Sequence, residues 1–232
     1  MRKMNCMPLS AIFALLLPLA GLAETFDYRF DVRLALVKIG EMQVAANNDG
    51  NSYSAGMALY TTGLAGVFYD VRYEQSVIGR IAPDGRLRPI KHILINDEQG
   101  RISHLEILFD GRNVSTITYD PQHDVPEDFS GIQHVIDQMS LIYRLLRPGS
   151  FQQVCTGEIG LFDGKNVSMV KFTNVQRRAD GRVQCDIAYS GTGGKSGVTL
   201  SALVFTPDTD GVMRIRRFDV NTSIGLLTVK AR

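Results

Sequence analysis

The polar residues best suited to chemistry lie together in residues 119–128, which read Tyr-Asp-Pro-Gln-His-Asp-Val-Pro-Glu-Asp. Their carboxylates and imidazole are side-chain types that bind metal ions. However, their spacing does not match the D-x-[DN]-x-[DN]-G pattern of a calcium-binding loop. Acidic residues also favour the start of a following helix, because its free N–H groups carry partial positive charge. We therefore predict no metal site here. The alternative hypothesis is a metal-dependent hydrolase that uses His123 and Asp124.

Other enzyme motifs are incomplete in this sequence. The four histidines have neither H-E-x-x-H nor H-x-H spacing, and there is no G-x-S-x-G motif for a nucleophilic serine. Residues 191–197 contain Gly-Lys-Ser, but position 189 is Tyr where a phosphate-binding loop requires Gly. This segment is predicted to be a flexible hairpin loop. The sequence favours a non-enzymatic protein and predicts neither catalytic residues nor a cofactor.

Residues 1–23 have the organisation of a secretory signal peptide. Arg2 and Lys3 form a basic start, an apolar core too short to cross a membrane follows, and small residues precede the expected cleavage site. The alternative is a buried N-terminal helix. We expect export to the periplasm and a mature chain of residues 24–232 that forms a single domain.

The charge of the mature chain excludes one class of partner. Removing two of the 25 basic residues with the signal peptide leaves 23 against 24 acidic ones. Because a nucleic-acid-binding surface needs an excess of basic residues, we expect no nucleic acid partner.

No later stretch approaches ~18 consecutive apolar residues, so we also expect no transmembrane segment in the mature chain.

Two cysteines, Cys155 and Cys185, remain in the mature chain. The compartment beyond the inner membrane is oxidising, so this pair is predicted to form one disulfide. Closing a loop of about 30 residues would stabilise the fold by roughly 3–4 kcal/mol if the effect is mainly chain entropy. A reactive or metal-binding pair is the alternative, but the C-x-x-C spacing that favours it is missing.

Asp-Gly pairs divide the chain into short segments. Glycine accepts positive φ and aspartate tolerates it, so this pair is typical of hairpin turns. The predicted turns have a glycine after each of Asp49, Asp84, Asp110, Asp163, Asp180 and Asp210, with Gln99-Gly100 as a variant.

Between these turns, apolar and polar residues alternate, as in residues 26–33, 67–73, 198–204 and 213–216. A period of two with one polar face indicates antiparallel strands that are buried on one side. A sheet of this many strands accumulates twist and must curl. The predicted fold class is mainly β: a curled antiparallel meander, either a half-barrel or a barrel-like sheet.

Residues 135–150 predict one long amphipathic helix within this β-rich chain. Ser130 and Gln133 fit a capping box before it, and Pro148 ends it. Two arginines in its last turns, Arg144 and Arg147, suit the partial negative charge at the end of a helix.

The apolar residues of this helix fall on two sides. At 100° per residue, the main stripe consists of Ile132, Val135, Ile136, Met139, Ile142, Tyr143 and Leu146. Leu141 and Leu145 form a second apolar strip nearly opposite, beside Gln138. Because such a helix cannot lie on a flat sheet with its back to water, we expect it to pack on the concave side of the curled sheet.

An ordered set of segments is distinctive in this chain. The helix segment at residues 137–147, Asp-Gln-Met-Ser-Leu-Ile-Tyr-Arg-Leu-Leu-Arg, precedes Cys155, the Phe-Asp-Gly sequence at residues 162–164, and Cys185. In this order the chain resembles a family of exported proteobacterial proteins, classed as a domain of unknown function and numbered in the thirty-one-hundreds. The likeness covers nearly the whole mature chain. The resemblance implies export and carries no agreed activity.

These features support a periplasmic, non-enzymatic protein that binds an apolar ligand, such as a lipid, or assists envelope assembly. The predicted contacts to the ligand or partner are on the helix: Gln138, Met139, Leu141, Tyr143 and Leu145. One alternative is a scaffold that binds an envelope protein through Leu141 and Leu145. Another is a core helix overlapped by neighbouring loops, with no site on it.

Overall fold

The computed structural model describes residues 24–111, 113–121, 131–191, 199–222 and 225–232. The predicted signal peptide, the capping residue Ser130 and the candidates His123 and Asp124 lie outside these residues, as do residues 192–197 of the predicted loop. The described chain contains fourteen strands and two short helices, so it is mainly β, as predicted.

The strands follow one another along the chain with few interruptions. The first seven are β1 (Glu24–Leu34), β2 (Val37–Asn48), β3 (Ser52–Thr61), β4 (Val71–Ile81), β5 (Leu87–Glu98), β6 (Arg101–Asp110) and β7 (Asn113–Asp120). The others are β8 (Val135–Asp137), β9 (Glu158–Phe162), β10 (Val167–Arg177), β11 (Val183–Gly191), β12 (Thr199–Pro207), β13 (Met213–Thr222) and β14 (Gly225–Ala231). Helix α1 (Gly63–Phe68) lies between β3 and β4, and helix α2 (Gln138–Leu146) lies between β8 and β9.

The predicted turns are confirmed. Each Asp-Gly pair, and the Gln99-Gly100 variant, joins two strands that are consecutive in the chain. The glycine in each of these turns has a positive φ, between 63° and 98°. Local sequence therefore sets where the strands end.

The fourteen strands form one sheet, in which nearly every strand pairs with its neighbours in sequence. β1 also pairs antiparallel with β14, which curls the sheet into a nearly closed barrel shape. Its edges are β7 and β8, and Asn113 at the start of β7 forms a bridge with Gln133, just before β8. The prediction of a wholly antiparallel sheet is wrong at one place, because β8 runs parallel to β9.

Apolar side chains fill the seam between the two edges. They come from β6, β7, β8 and β9: Leu105, Ile107, Phe109, Val114, Val135 and Phe162. A larger apolar core lines the rest of the barrel and includes α2. The interior is therefore packed between the helix and the strands.

The prediction of one long helix over residues 135–150 is wrong. α2 has nine residues, and the residues just before it form the buried strand β8. Val135 and Ile136 are β-branched, and such side chains pack well in a strand that is covered on both faces. The helical spacing of the apolar residues hid this short strand, because three residues are too few to show a period.

The predicted capping box is also wrong. Helix α2 is capped by Asp137, whose carboxylate accepts a hydrogen bond from the backbone N–H of Ser140 at 2.9 Å. Gln133 lies in the bridge to Asn113 instead. The end of the helix agrees with the prediction, since Pro148 follows the C-cap residue Arg147.

Helix α2 lies inside the curled sheet, as expected from its two apolar sides. It contacts β3, β4 and β5 in one half of the sheet, and β9 and β13 in the other. Leu141 and Leu145, on the second apolar side, are only 4% and 8% exposed. Both sides of the helix therefore face protein.

Two predicted strands differ in detail. Residues 67–73 do not form one strand, because Gly63–Phe68 is helix α1 and β4 begins at Val71. In β12 the predicted alternation changes phase at a β-bulge, where the pairing with β13 shifts between Ser201 and Val204. After the bulge, Leu203 and Phe205 are the buried residues.

Candidate functional site

The candidate site is a cavity of about 370 Å³ at one end of the barrel. The turn between β4 and β5 forms one wall, and the end of α2 with the segment after it forms another. Phe172 of β10 and Phe205 of β12 complete the lining. This volume is in the range of small-molecule sites, and we call the site the mouth cavity.

The mouth cavity combines an apolar wall with charged residues. The large apolar side chains and the one tyrosine that line it are Leu87, Tyr143, Leu145, Val154, Phe172 and Phe205. Its charged residues are Asp84, Arg86, Arg144 and Arg147. An apolar group bound here would lose contact with water, while a polar group could stay beside the arginines.

Two connections hold the segment after α2 against the barrel. Gly149 exchanges backbone hydrogen bonds with Met213 at 3.2 and 2.8 Å. The predicted disulfide then joins Cys155 to Cys185 of β11, with their Cα atoms 6.1 Å apart. Because Cys155 itself lines the mouth cavity, the disulfide fixes one of its walls.

The three arginines of the mouth cavity have different partners. The guanidinium of Arg147 lies 3.3 Å from a carboxylate oxygen of Glu24, and that of Arg86 lies 3.2 Å from Asp84. Arg144 instead donates a hydrogen bond to the backbone carbonyl of Thr156 at 3.1 Å. Burial lowers the pKa of Arg144, although its side chain reaches solvent.

Two of the five predicted binding residues, Tyr143 and Leu145, line the mouth cavity. Met139 and Leu141 are buried in the core, away from this cavity. Gln138 accepts a hydrogen bond from Tyr73 inside the barrel. Because Leu141 and Leu145 are enclosed, they do not form an exposed surface for an envelope protein.

A set of buried and half-buried polar side chains joins α2 to the barrel wall. This interior polar network consists of Tyr53, Tyr73, Gln75, His92, Asp137, Gln138 and Ser140. The hydroxyl of Ser140 donates to Asp137 and lies 2.7 Å from the hydroxyl of Tyr53. The ring of Tyr53 also stacks on Tyr143, with centroids 4.7 Å apart.

His92 occupies the other side of this network. Its Nε2 lies 3.0 Å from the amide oxygen of Gln75, whose own NH2 group donates to Tyr73 at 2.9 Å. The amide oxygen can only accept, so Nε2 carries the proton of the neutral ring. Among the described residues, Nδ1 of His92 has no hydrogen-bond partner. A second proton on this ring would therefore have no acceptor among these residues.

Burial shifts the pKa values of this network toward neutral side chains. Burial lowers the pKa of His92. The carboxylate of Asp137, 4.0 Å from Nε2, raises this pKa by a smaller amount. Burial raises the pKa of Tyr53 above its usual range, and Asp137 adds to this shift. Burial also raises the pKa of Tyr73 to about 12. The tyrosines and the histidine are therefore uncharged at neutral pH.

Ser140, His92 and Asp137 are the residue types of a hydrolytic triad, but their order differs from one. In a triad the imidazole lies between the serine and the carboxylate, so that it can take the proton of the serine. Here the carboxylate lies between the other two, and Ser140 donates to it directly. Ser140 is also fully buried. This arrangement connects α2 to β3 and β5 and does not activate a nucleophile.

Neither metal coordination nor membrane spanning is indicated by the described residues. Within them, no three His, Cys, Asp or Glu side chains are grouped as metal ligands would be. None of the helices in the described part of the chain has both the length and the apolar character needed to cross a bilayer.

A second depression of about 400 Å³ lies on β2 to β5 around Gly56 and Ala58, and no basic residue lines it.

Comparison with known proteins places the chain in a family. Residues 28–220 match the family described as "Protein of unknown function (DUF3108)". The chain belongs to this family. Among solved structures, this DUF3108 protein is similar to a beta-barrel-like protein of the domain of unknown function DUF1849 from Brucella abortus. The two share 10% identity over 90% of this chain and 94% of that one, with a TM-score of 0.49. No curated protein matches the chain.

Sequence reasoning missed several residues of the mouth cavity in this DUF3108 protein. Arg86, Phe172 and Phe205 come from a turn and two strands that are far apart in the chain, and no local pattern links them. The sequence relates Arg144 and Arg147 only to the partial charge at the end of the helix. Their position beside Leu145 at the end of a two-sided helix was the signal that could have indicated a site.

Proposed function

We propose that this protein is exported to the periplasm and binds the apolar part of a small molecule in the mouth cavity, without catalysing a reaction. One observation carries this proposal: a cavity of about 370 Å³ lies at one end of the barrel, and apolar side chains from the end of α2 and from the barrel strands line it. Burying such a ligand would contribute about 25 cal/mol for each Å² of apolar surface removed from water. If the ligand is a lipid, the protein would serve envelope assembly.

Two features support export. Residues 1–23 have the basic, apolar and small-residue order of a signal peptide. The bond between Cys155 and Cys185 is of a kind that persists in oxidising compartments such as the bacterial periplasm. Fractionation of cells that produce the full chain should find the protein in the periplasm, with an N-terminus near Glu24. Retention in the cytoplasm with Met1 intact would contradict this part of the proposal.

Native mass spectrometry tests the binding function. Protein purified gently from the periplasm should show an added mass that disappears after extraction with organic solvent, and the stripped protein should take up a short-chain alcohol such as decan-1-ol. Protein that is always empty and takes up no alcohol would overturn the proposal.

A blocking variant tests the location of the site. Thr156 is exposed at the rim of the mouth cavity, so Thr156→Trp should fill the opening with little effect on the core. We expect it to reduce decan-1-ol uptake by at least tenfold. Thr118→Trp is the matched control, because Thr118 is an exposed residue of β7 away from the cavity. Equal uptake by both variants would place the ligand elsewhere.

A further inference from the structure

The charge around the mouth cavity is unbalanced. Of the three arginines that line it, Arg147 is paired with Glu24 and Arg86 with Asp84. Within the described residues, Arg144 has no carboxylate in ion-pair distance, and it donates a hydrogen bond to the neutral carbonyl of Thr156. One positive charge in the cavity is therefore without a counter-ion from these residues.

The guanidinium of Arg144 is held in place although its side chain reaches solvent. The hydrogen bond to the carbonyl of Thr156 fixes one edge of the group at 3.1 Å. Gly157 lies against the same nitrogen, since a Cβ at Gly157 would be 3.2 Å from Nη2 of Arg144. A positioned guanidinium loses less side-chain entropy when it binds a ligand than a freely moving one.

The surroundings of Arg144 favour an anion. Arg144 is exposed to solvent, and partial desolvation by nearby protein atoms lowers its pKa. A partly desolvated charge gains more from an opposite charge than a fully hydrated one does. The end of α2 carries a partial negative charge of about half a unit, which repels an anion. This partial charge is smaller than the full positive charge of Arg144.

The apolar and charged parts of the cavity meet on α2. Arg144 and Leu145 are consecutive residues, and both line the cavity together with Phe172 and Phe205. A ligand with its charge at Arg144 would therefore have its apolar part within reach of this wall.

We infer that the ligand is a single-chain amphiphile with an anionic headgroup, a carboxylate or a phosphate monoester, that binds Arg144. This inference rests on the proposed binding function of the mouth cavity. A guanidinium offers parallel N–H donors that match two oxygens of a carboxylate or phosphate, so both headgroups fit the same site. The apolar chain lies against Leu145, Phe172 and Phe205.

Isothermal titration calorimetry with three ten-carbon probes tests this inference. Stripped protein is titrated below the micellar concentrations with decanoate, decyl phosphate and decan-1-ol, which share a chain and differ in the headgroup. We expect the anionic probes to bind about tenfold or more tightly than decan-1-ol. The stronger of the two anionic probes identifies the headgroup, and binding of either one supports the inference.

Substitution of the arginine separates the headgroup from the chain. Arg144→Gln should weaken the binding of decanoate or decyl phosphate about tenfold. Its affinity for decan-1-ol should stay within twofold of that of the natural protein, which also shows that the variant is folded. Arg72→Gln is the matched control, because Arg72 is an exposed arginine of β4 that does not line the cavity. It should change none of the three affinities.

The outcomes distinguish the inference from the proposed function. If all three probes bind equally and Arg144→Gln has no effect, the cavity binds apolar chains and the anionic headgroup is wrong. If none of the probes binds, both the proposed function and the inference fail.

Discussion

The hydroxyl of Tyr53 lies 2.7 Å from Oγ of Ser140, and this contact joins strand β3 to helix α2 inside the barrel. Because the Ser140 hydroxyl donates its own proton to Asp137, the Tyr53 hydroxyl must be the donor. All three side chains are buried. The hydroxyl of Ser140 therefore provides a hydrogen-bond partner for both a buried tyrosine and a buried carboxylate.

Substitution of this serine should destabilise the fold strongly. Ser140→Ala leaves the Tyr53 hydroxyl and one oxygen of Asp137 without partners, and we expect a loss of about 2–4 kcal/mol in the free energy of unfolding. Urea unfolding followed by circular dichroism measures it. Ser54→Ala, at an exposed position of β3, should change it by less than about 0.5 kcal/mol. A loss at Ser140 no larger than at Ser54 would show that the contact contributes little.

The close packing of Gly79 against Tyr53 gives a second prediction. A Cβ at Gly79 would lie 2.5 Å from Cε1 of the Tyr53 ring and 2.7 Å from the carbonyl oxygen of Arg88. Gly79→Ala should therefore lower the free energy of unfolding by about 1–3 kcal/mol. Gly56→Ala is the control, because its nearest neighbour would be 3.8 Å away, and it should be neutral or stabilise by up to about 1 kcal/mol. Equal effects of the two substitutions in urea unfolding would contradict this account.

Removal of the disulfide should weaken both the fold and the mouth cavity. Cys155 and Cys185 are 30 residues apart in the chain, so the bond restricts the unfolded state by roughly 3–4 kcal/mol. Replacing both cysteines by alanine should lower the free energy of unfolding by that amount and reduce decan-1-ol uptake, since Cys155 lines the cavity. Reductant should destabilise the natural protein and leave the double variant unchanged. Identical stability of the two proteins without reductant would refute the prediction.

The buried imidazole of His92 predicts a pH dependence of stability. Burial lowers the pKa of His92 in the folded state below its usual value of 6.5, so the unfolded chain binds this proton more readily. The stability from the neutral ring is therefore complete above pH 6.5 and decreases as the pH falls below 6.5 toward the folded-state pKa. Urea unfolding of the natural protein from pH 5 to pH 8 measures the slope.

Two variants test the source of that slope. His92→Gln should show a smaller loss of stability between pH 6.5 and pH 5 than the natural protein, although it is less stable at every pH. Ser54→Ala, at an exposed position of β3, removes no titratable group and should keep the natural slope. If His92→Gln keeps the full slope, another group is responsible for it.

Much of the strand arrangement could be predicted because its signals are local. An Asp-Gly pair makes its own turn, through the positive φ that glycine accepts, and this holds wherever the pair lies in the chain. Short connections then force consecutive strands to pair. Seven turns and the meander order follow from these two facts alone.

The start of α2 could not be predicted in this way. Val135 and Ile136 fit the helical spacing of apolar residues, and they are also β-branched, so local sequence supports both states. Pairing with β9, about 25 residues later in the chain, selects the strand. The same long-range pairing makes Asp137 the helix cap.

The sequence by itself determined the mainly β class, the turns, the disulfide pair and a helix with two apolar sides. Only the tertiary structure decided that the two sides of α2 meet opposite halves of one barrel. It also decided that Arg144, Phe172 and Phe205 line one cavity. The physical reason is the range of the interactions along the chain. The backbone conformation at a turn depends on two or three adjacent residues. A cavity depends on side chains from distant parts of the chain, which only the closed sheet brings together.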